Sequence, residues 1–537
     1  MKNIKIAIAQ RNFTVGDLEG NSKIIVNSIK DAKNNDADII VFPELALTGY
    51  FPQDLLFDKQ FVEDNMEYLS KIVGFCKSII ALVGFANKID NKLYNSIAVI
   101  QNCKIIKIIH KTNLSIDEKR YFAQNKNIEP VNIKIKDQNV KIGIEISDDL
   151  ENNKSGINVT KKLVEKGAEV IICCSASPYS FNKLEKKQKI VSNKAKEFQL
   201  PFIYTNLVGG QDDLIYDGNG FAVNGDGDLI AICKGQKEEM NYFKIGKKEE
   251  IISFPKINKM EELFNSLVLG ISDYFRKTGF KEAIIGLSGG IDSALVSVLA
   301  SEAIGSKNVY SYSMPSEYSS SHSIEDAKKL ANNLGINYTE IPIKNSYENL
   351  LGALEKQFEG TEFGIAEENL QARIRGVILM LIANKFNRLL LATGNKTEIY
   401  LGYFTLYGDS NGALAPIADL NKLEVHALSK YINDRQKKEI IPWNTINKKP
   451  SAELKSDQYD PFDYKIVAPL VDEIINNNMT KKELLKMNYE KKLIDEIFEL
   501  IKKSEYKRHQ LVTELKVSEP IILNGRKMPI VNKYFEN

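Results

Sequence analysis

Residues 282–296 read EAIIGLSGGIDSALV, a short apolar strand, a turn of glycine and serine, and the opening of an apolar helix. Gly286, Gly289 and Gly290 lack a Cβ, so the backbone amides of the turn are free to close around phosphate oxygens, and the helix start adds the positive end of its dipole. Ser288 and Ser293 supply hydroxyl donors, Leu287 and Ile291 are the apolar flanks of the turn, and Asp292 is a carboxylate suited to holding Mg²⁺ against the phosphates. The Gly-Lys-Ser/Thr ending of a Walker loop is absent. A plain Gly-Ser turn opening an ordinary helix is the alternative, and the apolar strand before the turn and the helix after it weigh against that.

Working outward, the strand VYSYSM, a helix from about Ser323, and the strands YTEIPI and RLLLAT follow. Strands alternating with helices predict a parallel, doubly wound sheet whose ligands sit at the carboxyl ends of the strands. Upstream, KKEEIISFPKINK is charged and contains proline, which predicts a joint at 247–257 between domains at 1–246 and 258–537. The first of these has short apolar strands (IKIAIAQ, ADIIVFPE, IIALVGF, NSIAVIQ, VKIGIEI, AEVIICCS, PFIYTNLV, GFAVNG) with interleaved helices, the pattern of a layered α/β sandwich.

Composition narrows the function classes. A chain of 537 residues exceeds what one core normally supports, and 72 Lys+Arg against 70 Asp+Glu leaves a net charge of +2. No nucleic-acid or membrane partner is expected from that balance, nor is a transmembrane helix or signal peptide. Cys76, Cys103, Cys173, Cys174 and Cys233 are odd in number and show no CxxC spacing, which predicts reduced thiols and a cytoplasmic location.

The string SGGIDS resembles the signature of the PP-loop ATP pyrophosphatases, which cleave between the α and β phosphates and leave AMP on an oxygen such as a carboxylate. Further along, AEENLQARIRG (366–376) is helical in pattern and polar for its length; read alone, it divides evenly between a solvated helix and a binding surface. With LATGNKTEIYLGYFTLYGDSNGALAPIADLNK, PSAELKSDQYD and EYKRHQ, these segments closely resemble the NAD synthetase family over nearly all of 258–537. The resemblance implies that 286–293 and Thr393 bind ATP, with Mg²⁺ at Asp292, and that Asn369 and Arg375 hold deamido-NAD. Glu398 falls where the family contacts substrate or metal; Asp409 and Lys422 are candidates for the nicotinate end and the phosphates, and Lys507 for substrate. Tyr403, Phe404 and Tyr407 read as core or stacking residues, Trp443 and His322 as structural or surface ones. The implied reaction is adenylation of the deamido-NAD carboxylate by ATP, then attack by ammonia and release of AMP. No protein nucleophile is required, and this half has no cysteine.

In the first half, FPELALTGYFPQDLL places Glu44 after a strand and HKTNL places Lys111 after another. With ASPYSFNK (176–183) and NLVGGQDDLIYDG (206–218) they resemble the nitrilase-like glutaminase domain of glutamine-dependent NAD synthetases. That family releases ammonia from glutamine with a Glu base, a Lys and a Cys nucleophile, through a thioester. Glu44 and Lys111 match the first two, and Ser177 and Lys183 match glutamine-binding positions. At the nucleophile the family reads Gly, two residues, Ile, Cys, Glu, Asp; this chain reads GIEISDD, with Ser147 in the cysteine's place. The family's longer loop after the lysine, which carries a glutamine-enclosing tyrosine, is reduced to TNLSI. Both departures predict an impaired glutaminase fed by free ammonia, in a homodimer or higher oligomer as the family's synthetase domains imply. Competing readings are a fully glutamine-dependent synthetase, another PP-loop amide ligase, and a purely structural first domain.

Overall fold

The computed structural model describes residues 3–151, 156–246, 249–256, 258–455, 458–519 and 528–532. The chain divides into two compact units, Met1–Gln211 with Ile215–Asn258, and Asp212–Leu214 with Lys259–Asn537. Residues 247, 248 and 257 of the expected joint lie outside the described residues, while Ile252 and Phe254 pack against the core of the first unit and Ile252 N–H bonds the Leu229 carbonyl.

In the first unit, β1 (Ile4–Gln10), β2 (Ile39–Val41), β3 (Ile80–Ile89), β4 (Lys92–Gln101), β5 (Lys104–His110) and β14 (Glu239–Ile245) form a sheet of order β14-β1-β2-β3-β4-β5. A second sheet, in the order β13-β12-β9-β8-β7-β6, takes β6 (Val131–Ile135), β7 (Gln138–Ile146), β8 (Val170–Cys174), β9 (Phe202–Thr205), β12 (Phe221–Val223) and β13 (Leu229–Ile232). β10 (Val208–Gln211) and β11 (Leu214–Asp217) make a separate ribbon. Alternate residues of both sheets, among them Ile6, Ile8, Val41 and Leu82 of one and Ile144, Ile146, Ile172 and Ile203 of the other, meet in one core. Helices α1 (Leu18–Asn34) and α2 (Lys59–Val73) belong to the first sheet's side, and α3 (Val159–Glu165) and α4 (Lys183–Phe198) cover the second, where Leu163, Val191 and Ala195 pack on Ile171 and Phe202. Asp17, Asp58 and Asn158 cap α1, α2 and α3 by accepting from first-turn amides. The result is the expected layered α/β sandwich.

The second unit opens with α5 (Lys259–Thr278) and carries β15 (Ala283–Gly286), α6 (Ile291–Ile304), β16 (Val309–Ser313), α7 (Ser321–Leu334), β17 (Asn337–Glu340), α8 (Lys344–Ala353), α9 (Ile365–Phe386) and β18 (Leu389–Leu390). The four strands run in the order β17-β16-β15-β18, every pairing parallel. RLLLAT contributes only Leu389 and Leu390 to the sheet proper; Leu391 N–H bonds the Ile284 carbonyl of β15 at 3.0 Å, and Leu391 also bridges Leu414. α10 (Lys396–Leu401), α11 (Lys422–Gln436), α12 (Trp443–Asn447) and α13 (Tyr464–Ile475) follow. Among the described residues no helix is long and apolar enough to cross a membrane.

Candidate active site

The phosphate turn of the second unit leaves β15 and enters α6 with Gly290 at the helix N-cap. Gly289 has φ +80°, and a Cβ there would stand 2.1 Å from the Ser323 carbonyl oxygen, so only glycine fits. Leu287 is buried and its N–H bonds the Tyr312 carbonyl at 2.9 Å, which pins the turn to β16. The Ser288 and Ser293 hydroxyls lie 3.1 Å apart, and Gly290 N–H donates to Ser288 Oγ at 3.2 Å. Ile291 is buried below the turn.

Asp292, on the first turn of α6, meets a buried lysine. Lys422 Nζ lies 2.6 Å from Asp292 Oδ2 and 2.9 Å from Glu398 Oε1, and Asn395 Nδ2 donates to Asp292 Oδ1 at 2.8 Å. Burial pushes the Glu398 carboxyl up to about 7 against the pull of Lys422, with Asp292 adding repulsion. Burial also opposes the charge on Lys422, but Asp292 and Glu398 more than offset it and raise its pKa. Asn395 was not singled out in the sequence; its place as N-cap of α10, in a capping box with Glu398, is the signal that would have found it. Thr393, half-buried, does not end a strand as expected; it lies in the connection between Leu390, the last residue of β18, and this cap.

The other candidates gather elsewhere in the unit. Asn369 Oδ1 accepts from Thr405 Oγ1 at 2.7 Å, and Asp409 Oδ1 from Thr405 N–H at 2.8 Å. Lys507 Nζ donates to the Gly402 and Phe404 carbonyls, each at 2.8 Å, and Arg375 Nε to the Met314 carbonyl at 2.9 Å. Burial raises Asp409, lowers Lys507, and pushes Arg375 down to about 10, which leaves it charged at neutral pH. Phe404 is buried as expected, whereas Tyr407 is 60% exposed with its hydroxyl on Gln510.

Among the described residues no group of three or more His, Cys, Asp or Glu could hold a metal ion. Asp292 and Glu398 are two hard oxygen donors of the kind Mg²⁺ takes, but here both converge on Lys422 Nζ, so a metal between them would have to displace that ammonium.

In the first unit, Lys111 is buried among three carboxylates, 3.0 Å from Glu44 Oε1, 2.8 Å from Glu118 Oε2 and 2.8 Å from Asp148 Oδ2. Asn95 Nδ2 links Glu44 and Glu118 at 2.7 and 3.0 Å. Burial pushes the Glu44 carboxyl up to about 7; Lys111 opposes that and Glu118 assists it. Burial works against the Lys111 ammonium, but Glu118, Glu44 and Asp148 prevail and hold it well above its ordinary value. Ser147 follows β7 with φ +43°, and its hydroxyl donates to Glu44 Oε2 and lies 3.1 Å from the Ala176 N–H. Asp149 accepts from the Thr112 and Asn113 amides, at 3.1 and 2.7 Å, and so ties the segment after Lys111 to the Ser147 turn. Ser177 is held to Asn206 through its own backbone N–H and carbonyl, and Lys183 Nζ bonds the Pro178 carbonyl at 2.6 Å. Cys173 and Cys174 are buried on β8, and burial raises both thiols, which disfavours the thiolate at either position.

The chain matches the NAD synthase family over residues 263–511 and the carbon-nitrogen hydrolase family over residues 5–249. It is 40% identical to a glutamine-dependent NAD(+) synthetase of Synechocystis across 98% of this chain and 99% of that protein. A second, from Thermotoga maritima, is 36% identical with both chains covered in full. The solved structure of the Acinetobacter baumannii glutamine-dependent NAD+ synthetase in complex with adenosine diphosphate has a TM-score of 0.79, 31% identity and complete coverage of both chains. With a phosphate turn in one α/β unit and a Glu-Lys pair in a nitrilase-like sandwich, and with relatives of this identity matched end to end, the chain belongs to the glutamine-dependent NAD(+) synthetase family, and it is an ATP-using carbon-nitrogen ligase that makes NAD(+).

Proposed function

We propose that this enzyme amidates deamido-NAD chiefly with free ammonia, and that its first unit is an impaired glutaminase. The observation that carries the first part is the Asp292–Lys422–Glu398 cluster beside the phosphate turn. In this reading the amides and hydroxyls of 286–293 hold the ATP phosphates, Thr393 touches the nucleotide, and Lys422 offsets charge on the departing pyrophosphate. When bound at Asp292 and Glu398, with the Lys422 ammonium displaced from between them, Mg²⁺ supplies further charge neutralisation there. Asn369, Arg375, Asp409 and Lys507 position deamido-NAD, whose carboxylate attacks the α-phosphorus; ammonia then displaces AMP.

The second part rests on Ser147. Its hydroxyl lies on the Glu44 carboxylate, as a nucleophile's should, but an alcohol is far less ionised than a thiol, and surroundings built for a thiolate do not activate it to the same degree. TNLSI also offers no tyrosine, and Ile116 within it is 87% exposed. The relatives' names favour glutamine as the donor, which makes full glutamine dependence the competing reading. Comparing NAD formation from deamido-NAD and ATP with each donor decides it. Ammonia is expected to support turnover and glutamine to give little; equal rates with glutamine would overturn the proposal. Pairing with a second copy is supported by the exposed apolar residues Val377, Met380 and Leu381 on α9.

A further inference from the structure

The second unit contains the sequence Asn-Lys-X-Glu twice, at 395–398 and at 421–424. Each copy opens a helix, with the asparagine as N-cap and the glutamate closing a capping box. The two helix starts lie side by side: Lys396 N–H donates to the Leu420 carbonyl at 2.8 Å, and Lys422 N–H to Thr397 Oγ1 at 3.1 Å.

The side chains cross between the copies. Lys422 of the second copy reaches Glu398 of the first, and it also pairs with Asp292, whose other oxygen takes the Asn395 amide. Lys396 of the first copy pairs with Asp472 Oδ1 at 3.0 Å, and Asp472 Oδ2 takes the Asn421 amide. Asp472 on α13 therefore stands to Lys396 and Asn421 as Asp292 stands to Lys422 and Asn395. The two clusters differ in surroundings. The Asp292 cluster borders the phosphate turn, whereas Lys396 is 1% exposed and is closed in by Asp419 Oδ1 at 3.4 Å and Ser518 Oγ at 3.2 Å. What the second cluster holds are the first residues of the two helices that carry Glu398 and Lys422.

We propose that Asp472 is a positioning residue for NAD synthesis, which, by gripping Lys396 and Asn421 together, fixes the two helix starts that bring Glu398 and Lys422 to the phosphate turn. This rests on the assignment of Asp292, Glu398 and Lys422 to the ATP end of the reaction. One carboxylate oxygen goes to each helix start, so removing the carboxylate takes away their shared anchor and leaves the Lys396 N–H to Leu420 and Lys422 N–H to Thr397 bonds to hold the register, and displacements near 1 Å are enough to misplace charged groups against a transferring centre.

The test is Asp472→Ala with ammonia as donor, read as separate kinetic constants and as ATP affinity by titration calorimetry without deamido-NAD. Supporting partners at this remove are typically worth about tenfold to a hundredfold. That loss is expected in kcat, with a several-fold rise in KM for ATP, a matching loss of calorimetric affinity, and KM for deamido-NAD within about twofold. Asp472→Asn, which keeps an acceptor oxygen for one partner, is expected to recover part of it. Should Asp472→Ala not fold, Asn421→Ser keeps a good N-cap but is too short to reach Asp472, and the same ATP-specific loss is expected. A fall in kcat with ATP affinity and both KM values unchanged would mark a merely structural role and overturn the proposal, as would parental kinetics. Lys422→Met separates the two levels. Activity retained in that variant removes the ATP-site assignment and the proposal together, whereas loss of activity there beside parental Asp472 and Asn421 variants removes the positioning role alone.

Discussion

Both units bury a lysine among carboxylates, yet the two clusters are asked to do different work. In the first unit Lys111 serves three carboxylates, one of which, Glu44, accepts from the Ser147 hydroxyl. In the second, Lys422 serves two carboxylates beside a turn of backbone amides, and no nucleophile stands among them. A site that works through a nucleophile depends on the identity of one atom, sulfur or oxygen, and fails when it changes even if all its charges remain in place. A site that works by charge and position has no such atom and depends instead on where its carboxylates and ammonium stand. In the proposed reading the second unit is a site of the second kind, and the first unit carries Ser147 where a site of the first kind needs its nucleophile.

The sharpest way to break that comparison is at Asp292. Asp292→Ala leaves Lys422 without its 2.6 Å partner and the phosphate turn without its carboxylate, and is expected to lower NAD formation by about a thousandfold or more with either nitrogen donor. Steady-state assays check this, and substantial activity would refute the site. The residual product, where measurable, is accompanied by AMP and pyrophosphate; ADP would contradict the turn's chemistry.

A smaller effect is expected where a carboxylate is buried with no lysine in contact. Glu145 bonds Thr160 Oγ1 at 2.6 Å, and Lys194 reaches that hydroxyl rather than the carboxylate. Burial pushes Glu145 up to about 7, against opposing pulls from Lys194 and Thr160. A carboxyl raised in the folded state gives its full stability below the unfolded value, near 4.3, and loses it as pH climbs through the folded value. Glu145→Gln, isosteric with the protonated acid, should therefore gain on the parent between pH 5 and 8, by up to about 3 kcal/mol. Scanning calorimetry of the full chain across that range is the check, and a pH-independent difference would break the argument.

The smallest effect is expected from repair. Ser147→Cys puts sulfur beside Glu44 and Lys111, but TNLSI carries no tyrosine to hold glutamine in place, and a substrate that is poorly positioned reacts slowly even at a competent nucleophile. Glutamine-supported synthesis is expected to stay within about tenfold of the parent, with ammonia-supported synthesis unchanged as the control. Efficient rescue would show that the first unit is one atom from function.

What could be read in the sequence was what repeats or stands next to its neighbours. Apolar runs such as IKIAIAQ became β1, and SGGIDS kept its turn and helix because glycine and the N-cap act locally. KIIKIIH escaped notice as a strand because β5 is an edge with its first four residues exposed. Glu118 was hidden differently: it sits in DEKRYF beside exposed Lys119 and Arg120, so it looks solvated, while the fold buries it against Lys111. Asp472 lies 76 residues from Lys396 in an apolar helix, and nothing local marks it. The twin Asn-Lys-X-Glu strings were visible from the start, but their crossing needed the packed helices.

The pairing of β1 with β14, Ile4 against Ile245, has a consequence in time. β1 leaves the ribosome well before β14 and finds that outer neighbour only when nearly the whole unit has been made. At roughly 5–20 residues per second that is a wait on the order of 10–50 s, with one edge of β1 unpaired throughout. The last strand of the sheet, rather than the first, sets the moment at which the unit closes, and a ribosome stalled before Glu239 would present that open edge to every neighbouring chain.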